Sequence, residues 1–344
     1  MKIEIRLATE KDKEDWNRVV LQSRNGTFYN TWEWVQTVSK GLSDTGEEVI
    51  TICAEQSGKI VGIYPMFLRP AYVDTKFKKY LPLRNAWSPH PKLYTFGGPC
   101  ATGIEAEKIN EAMVKHSLNL MRKRRNVLIY WIWGFDDTEF KKAIERLGFS
   151  ARRKRKTTFI NLEPDEDSIF DSFKKKYRQN IRTGEKEGVT IIESNTQEDL
   201  AHFYDFFQKR LEEDIRKQPG MGFTQIANAT IPRAYFSSLW ENAFQNNMVR
   251  MFFAEHNGKR IGALINFYYK DMAFLGHTSI LREHGDLQAY KILIWHTIKD
   301  AKKNGFKRLD LTGLPPSEAH GQYRFKKDWN GEVIETTEYK RRVK

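Results

Sequence analysis

The stretch "KKKYRQNIRTGEK" (174–186) holds six lysines or arginines and a single glutamate. Lys174, Arg178, Arg182 and Lys186 step by four, the spacing that aligns side chains along one face of a helix. Cations in such register suit a polyanion, because each phosphate contact adds a salt-sensitive increment to binding. A solvated face of a connecting helix is the plainer alternative. Other chemistry-bearing patterns are sparse. The eight histidines form no H-E-x-x-H and no other ligand spacing with a carboxylate, although His277 and His284 flank a Gly-containing turn. No G-x-S-x-G occurs. Cys53 and Cys100 have neither metal nor disulfide spacing and read as packed core thiols. Metal hydrolysis and serine nucleophile chemistry are therefore not expected, and no metal site is assigned.

The element that would carry the cations is well punctuated. In "EPDEDSIFDSFKKKYRQNIRTGEKEGV" Pro164 suits a first turn, and acidic residues crowd the positive dipole end. Gly188 is placed to end the helix. Phe170, Phe173, Tyr177 and Ile181 line one face, so the sequence predicts an amphipathic basic helix over 163–188.

The flanking halves share a phrase: "AEQSGKIVG" at 54–62 returns as "AEHNGKRIG" at 254–262. Both read as strand, tight turn, strand, with Ser-Gly and Asn-Gly as the turns. The first hairpin leads into an apolar strand (63–67), an irregular Pro/Trp-rich stretch, "YTFGGPCA", a helix from about 106 to 125 and the strand "VLIYWIWG". The second leads into "ALINFYY", "MAFLGHTS", a helix from about 287 to 304 and "KRLDLTG". Leu287, Tyr290, Leu293, Ile294 and Ile298 form one buried face of that helix. Asp286 reads as its N-cap. Each half thus reads hairpin, strand, helix, strand. The expectation is two similar α/β (α+β) domains, 1–162 and 189–344, joined by the basic helix 163–188; two unrelated α+β domains are the alternative. The 344-residue length accommodates two cores. No run of 18 apolar residues and no signal-peptide-like start occurs, so a cytoplasmic protein is expected. The net charge of +13 favours anionic partners: nucleic acid, nucleotide-linked substrates or acidic lipid, including peripheral contact with an anionic membrane.

"FKKKYRQNIRTGEKEGVTI" closely resembles the linker of the Fem peptidyltransferases (FemABX family), whose "R-x-x-I-R-x-A-x-K-x-G-V" pattern it follows with Gly184 in place of Ala. "GTFYNTWEWVQTV" (26–38) resembles that family's "F-x-Q-x-x-x-W", with Asn30 for Gln, and "FGGPC" (96–100) its "R-G-P" turn without the Arg. "LDLTGLPPSEAHGQYRFKKDWNGE" (309–332) resembles its "D-F-x-G…FK-x-x-F-G" ending, with Trp329 for Phe. A related group of GNAT-like acetyltransferases, found beside polysaccharide and cellulose genes, ends in "K-x-x-W", as this chain does. The Fem resemblance implies two tandem domains of the GNAT acyltransferase fold. It also implies transfer of an amino acid from aminoacyl-tRNA to the stem-peptide amine of a nucleotide- or lipid-linked peptidoglycan precursor, with aminoacyl-tRNA as co-substrate and no bound cofactor.

Such a reaction needs a bound activated ester, a neutral amine and help for the oxyanion of the tetrahedral intermediate. Positioning and oxyanion stabilisation supply much of the acceleration without a protein nucleophile. By resemblance, Lys326, beside Phe325 in "RFKK", meets the reacting acyl donor; Arg324 and Lys327 offer the same charge. Arg233 and Tyr235 fall where Fem proteins bind the acceptor's phosphates and sugar, and Lys40 is a further acceptor-phosphate candidate. Arg178 and Arg182 are the candidates for polyanion contact. A CoA site would want R/Q-x-x-G-x-G/A opening a helix; "REHGDLQAYK" (282–291) offers Arg282 and Gly285, then the anion Asp286. Two other readings stand beside the first: a CoA-dependent N-acyltransferase acting on a sugar or amino-acid amine, and a non-enzymatic RNA- or membrane-surface-binding protein on the same scaffold.

Overall fold

The computed structural model describes residues 2–69, 92–124, 129–135, 138–217, 231–314 and 321–343. Most of the Pro/Trp-rich stretch and the "PPSEAH" segment of the C-terminal motif lie outside them.

The repeated phrases fold as twin hairpins. Strand β1 (Glu4–Leu7) pairs with β2 (Glu48–Gln56), which turns back antiparallel into β3 (Lys59–Arg69). Likewise β8 (Thr190–Glu193) pairs with β9 (Val249–His256), which turns into β10 (Lys259–Tyr269). The corner residues Ser57–Gly58 (φ 51 and 74°) and Asn257–Gly258 (φ 51 and 70°) are all left-handed, the geometry whose twist matches flanking strands. The two hairpins share their irregularity as well. Ala54 opposes Gly62 and Ala254 opposes Gly262, leaving Val61 and Ile261 as the extra residues of equivalent bulges. The second glycine of each phrase has its own cause. A Cβ on Gly62 would stand 2.7 Å from Ile109 Cγ2 and 2.8 Å from Met113 Cε, and one on Gly262 2.6 Å from Ile280 Cδ1.

The equivalence extends outward. β4 (Lys92–Phe96) and β11 (Met272–Ile280) pair antiparallel with β3 and β10, and the short β5 (Cys100–Ala101) also pairs with β3. A helix then crosses to a parallel neighbour, as parallel pairing requires. In the first half α3 (Ala106–Lys123) leads to β6 (Ile129–Phe135); in the second α9 (Ala289–Lys303) leads to β12 (Arg308–Leu314). The helices α1 (Lys13–Gln22) and α2 (Trp32–Gly41) precede the first hairpin, while α4 (Thr138–Arg146) follows β6 and α7 (Gln197–Lys217) follows β8.

The chain forms two compact units, and they are not contiguous in sequence. The first comprises Met1–Lys154, Gly220–Asn242 and Glu335–Lys344; the second Arg155–Pro219 and Ala243–Ile334. This differs from the expected division into 1–162, 163–188 and 189–344. The outer neighbour of β6 is β13 (Glu332–Arg342), the last strand of the chain, with Thr336 opposite Phe135 and Arg342 opposite Ile129. The outer neighbour of β12 is the end of β7 (Ser150–Asn161), with Asn161 opposite Arg308. Each unit's sheet thus takes a strand from the other half of the sequence. The fully buried Glu338 carboxylate on β13 is held in the first unit by Arg152 and Arg153. Each unit has its own apolar core: Ile52, Tyr64, Met113 and Tyr339 in the first, Ile181, Leu264, Leu293 and Trp329 in the second. Cys53 and Cys100 are buried free thiols, as expected.

The basic helix is two helices within the second unit. α5 (Glu166–Ser172), capped by the Asp165 carboxylate on Ser168 N at 2.8 Å, ends at Phe173, whose extended backbone (ψ 152°) breaks the run before α6 (Lys175–Lys186). Phe173, Tyr177 and Ile181 face the core, and Gly188 ends the element with φ 85°. Gly184 is required by packing: a Cβ there would lie 2.5 Å from the Leu287 carbonyl oxygen. A second expectation is corrected at α9. Residues 282–287 form a 3-10 turn, and left-handed Gln288 (φ 57°) is the N-cap, so Asp286 lies too far upstream to cap.

Candidate active site

In the second unit β11 and β12 run parallel for three residue pairs, Met272–Arg308 to Phe274–Asp310. No further pair joins them among the described residues, although β11 continues to Ile280 and β12 to Leu314. At the parting point β12 slips register against β7 between Asp310 and Gly313. Within the slip Thr312 adopts φ 66°. A β-branched residue there is strained by of order 1–3 kcal/mol. Asp310 supports it: Thr312 N donates to Asp310 Oδ1 at 2.6 Å, and the Thr157 hydroxyl donates to the same oxygen.

Lys326 comes to this point from α10 (Gly321–Lys327). Aromatic packing around the helix and the turn after it sets its orientation. Phe325 stacks on Tyr290, with centroids 4.9 Å apart and planes at 4°. Trp329, fully buried, meets Phe173 and Tyr177 edge-on at 4.9 and 5.3 Å. The Tyr177 hydroxyl donates to the Phe325 carbonyl at 3.1 Å. With that face pinned, Lys326 is half-buried, while Arg324 and Lys327 on either side are exposed. Its Nζ donates to Thr312 Oγ1 at 3.1 Å and to the Gly313 carbonyl at 2.9 Å. Desolvation pushes the Lys326 ammonium down to about 8, opposed by the nearby Asp310 charge. Burial pushes the Asp310 carboxyl up, opposed by its bonds from Thr157 and Thr312 and by Lys326. A cation so placed, poised near neutrality, can stabilise a developing oxyanion.

The other expected residues fall elsewhere. Lys40, Arg233 and Tyr235 all lie in the first unit, on α2 and α8 (Arg233–Leu239). These helices touch closely at Gly41, where a Cβ would be 2.5 Å from Tyr235 Cα. Lys40 and Arg233 are exposed near that contact. Tyr235 is buried against Trp34 (centroids 6.2 Å), and burial raises its phenol well above the usual range. Arg178 is turned along its own chain, donating to the carbonyls of Asp171 and Phe173, and Arg182 sits over the Phe170 ring at 5.2 Å. Lys174 pairs with Asp328. Lys175, Lys176, Arg182 and Lys186 remain exposed along α6. His277, on β11, packs edge-on against Phe207 and Phe267, and desolvation pushes its imidazole down to about 4. Among the described residues no cluster could hold a metal ion and no helix is long and apolar enough to cross a membrane.

Residues 171–327 match the family model described as an acetyltransferase (GNAT) domain. The structure of FemX superposes with a TM-score of 0.71 at 13% identity, over 98% of this chain and 96% of that one. A tandem GNAT protein from the clavulanic acid biosynthesis pathway gives 0.59 at 12% identity, over 100% and 99%. This is a tandem GNAT fold. L-PGS from Bacillus licheniformis shares it, with a TM-score of 0.57 at 11% identity over 97% and 93% of the two chains. No curated protein matches the sequence.

At the parting of β11 from β12, Thr312 and Thr157 escaped the sequence reading, and Asp310, the aspartate of the "D-F-x-G"-like segment, had no role assigned there. Neither threonine carries a signature beyond the Asp-x-Thr spacing in "LDLTG", which permits an aspartate to bond the backbone two residues on. In the first unit Asn30, fully buried, joins two of the resembling segments. Its amide donates to the carbonyls of Phe96 and Gly98 at 3.3 and 3.2 Å, and its oxygen accepts from Thr27 N at 3.0 Å. It fastens the "FGGPC" turn to the start of α2.

Proposed function

We propose that the protein is an acyltransferase that moves an amino acid from aminoacyl-tRNA to the stem-peptide amine of a peptidoglycan precursor, with Lys326 meeting the oxyanion. The observation that carries the reading is the inward turn of Lys326 alone among three adjacent cations, at the parting of β11 and β12. A desolvated ammonium is worth more to a developing charge than a solvated one. Exposed cations along α6 suit the phosphates of a tRNA donor, and exposed Lys40 and Arg233 suit those of a nucleotide-linked acceptor. The likeness to FemX and the resembling motifs support this choice of donor and acceptor.

A second reading, transfer from acetyl-CoA to a small amine, draws on the GNAT domain match and the clavulanic-pathway protein. The turn before α9 disfavours it: exposed Asp286 brings an anion to where a pyrophosphate would approach. Purified protein is incubated with a nucleotide-linked precursor and either a labelled charged tRNA or labelled acetyl-CoA, with and without RNase. Transfer from charged tRNA that RNase abolishes is expected. Transfer from acetyl-CoA that RNase leaves intact would select the second reading.

A further inference from the structure

Lys326 is held by a device whose central member, Thr312, no sequence motif announces. An ammonium has three donors, and here two are spoken for: one points at Thr312 Oγ1 (3.1 Å) and one at the Gly313 carbonyl (2.9 Å). Fixing two N–H directions fixes the third. The acceptors are themselves set by an unusual backbone. Thr312 sits at φ 66° inside a strand, where glycine would ordinarily be found. Its N–H is bonded to Asp310 Oδ1, and that oxygen is steadied from β7 by the Thr157 hydroxyl. The order of dependence runs from Thr157 to Asp310, from Asp310 to the turned Thr312, and from Thr312 to Lys326.

We propose that Asp310 and Thr312 are positioning residues for the reaction: together they aim one ammonium hydrogen of Lys326 at the oxyanion of the tetrahedral intermediate. The inference rests on the reading of Lys326 given above. No proton leaves the protein in this role. The acceptor's neutral amine bonds the carbonyl carbon of the aminoacyl ester as the C=O pair moves onto oxygen, and the ammonium donates a hydrogen bond to that oxyanion; when the carbonyl re-forms, the ester C–O bond breaks and the departing tRNA ribose oxygen takes the proton that the amine gives up. Glycine at 312 would relax the backbone yet lose the hydroxyl, so a threonine retained under strain points to the side chain as the reason for the conformation.

The test uses the full chain with three variants beside Lys326→Met. Thr312→Ser keeps the oxygen, Thr312→Gly keeps the backbone turn without it, and Asp310→Asn removes the charge that supports both. Aminoacyl transfer from charged tRNA is measured across pH, and the Lys326 ammonium is titrated by NMR of lysine-labelled protein without substrate. Thr312→Ser is expected to retain near wild-type turnover. Thr312→Gly is expected to lower kcat roughly tenfold or more, the scale of a misplaced catalytic group, with KM little changed and an ordinary folded spectrum. In Thr312→Gly and Asp310→Asn the ammonium should titrate below its wild-type value, since each loses a group that favours the cation. A wild-type kcat and unshifted titration in Thr312→Gly would overturn the proposal, as would an equal loss in Thr312→Ser. If Lys326→Met is inactive while Thr312→Gly is normal, only the positioning role falls; if Lys326→Met is fully active, the reading of Lys326 falls with it.

Discussion

The three cations of "YRFKK" cannot be ranked by charge, yet the fold ranks them. Phe325 and Trp329 lie four apart and fix one side of α10 on aromatic neighbours, so Lys326 faces β12 while Arg324 and Lys327 face solvent. Lys326→Met, which keeps most of the apolar stem, should lower turnover by roughly 10²–10³, and Lys327→Met should do much less; steady-state transfer assays compare them. Because the working form is the cation and Lys326 titrates near 8, kcat/KM should decline as pH rises through that value. The same shift has a stability consequence of definite sign. The folded state binds the Lys326 proton less tightly than the unfolded chain does, so this group's contribution rises with pH between about 8 and the ordinary lysine value and is lost as pH falls through about 8. Thermal melts of Lys326→Met should therefore be no lower than wild type at neutral pH. Trp329 gives a second case. Its Nε1 is buried without a hydrogen-bond partner among the described residues. Trp329→Phe trades lost packing against relief of a penalty of about 1–3 kcal/mol, so its denaturation midpoint should change far less than that of Trp329→Ala. The sequence reading found Lys326 through its motif and quoted the motif aspartate, Asp310, without a role; it missed Thr312, because a left-handed threonine inside a strand contradicts its own local preference.

Elements were legible where their cause is local. The twin hairpins follow from their turn dipeptides, and the apolar face of α9 follows from its spacing, with Leu293, Ile294 and Ile298 fully buried. The break at Phe173 and the late start of α9 were not legible, since both depend on tertiary contacts. Gly184 shows the difference in energetic terms. By helix propensity alone, Gly184→Ala should stabilise by about 1 kcal/mol. Against the Leu287 carbonyl at 2.5 Å, overpacking of about 1–3 kcal/mol opposes it; urea denaturation should show a net loss. The cations of α6 separate in the same way. Arg178 serves the carbonyls at the end of α5, whereas Lys175 and Arg182 are exposed. Replacing Lys175 and Arg182 by Gln should flatten the dependence of log K for tRNA on log salt by about one to two units. Arg178→Gln should instead lower the melting temperature, with little effect on that slope.

At the scale of the molecule the duplication was readable and the exchange of strands was not. Alternation and turn signals identify β7 and β13 as strands, but nothing local says that β13 belongs beside β6, or the end of β7 beside β12. The exchange has a consequence for how the protein comes into being. Residues 1–162 leave the ribosome before α8 and β13 are made, with the edge of β6 that β13 will cover still bare. An open sheet edge invites pairing with other chains. Expressed alone, 1–162 should aggregate, and co-expression of the remainder should restore solubility, as read by the soluble fraction after lysis. A soluble, cooperatively melting 1–162 would contradict this. Synthesis thus reaches β6 long before β13, so the nascent chain must be kept from its neighbours until the strand that closes β6 arrives.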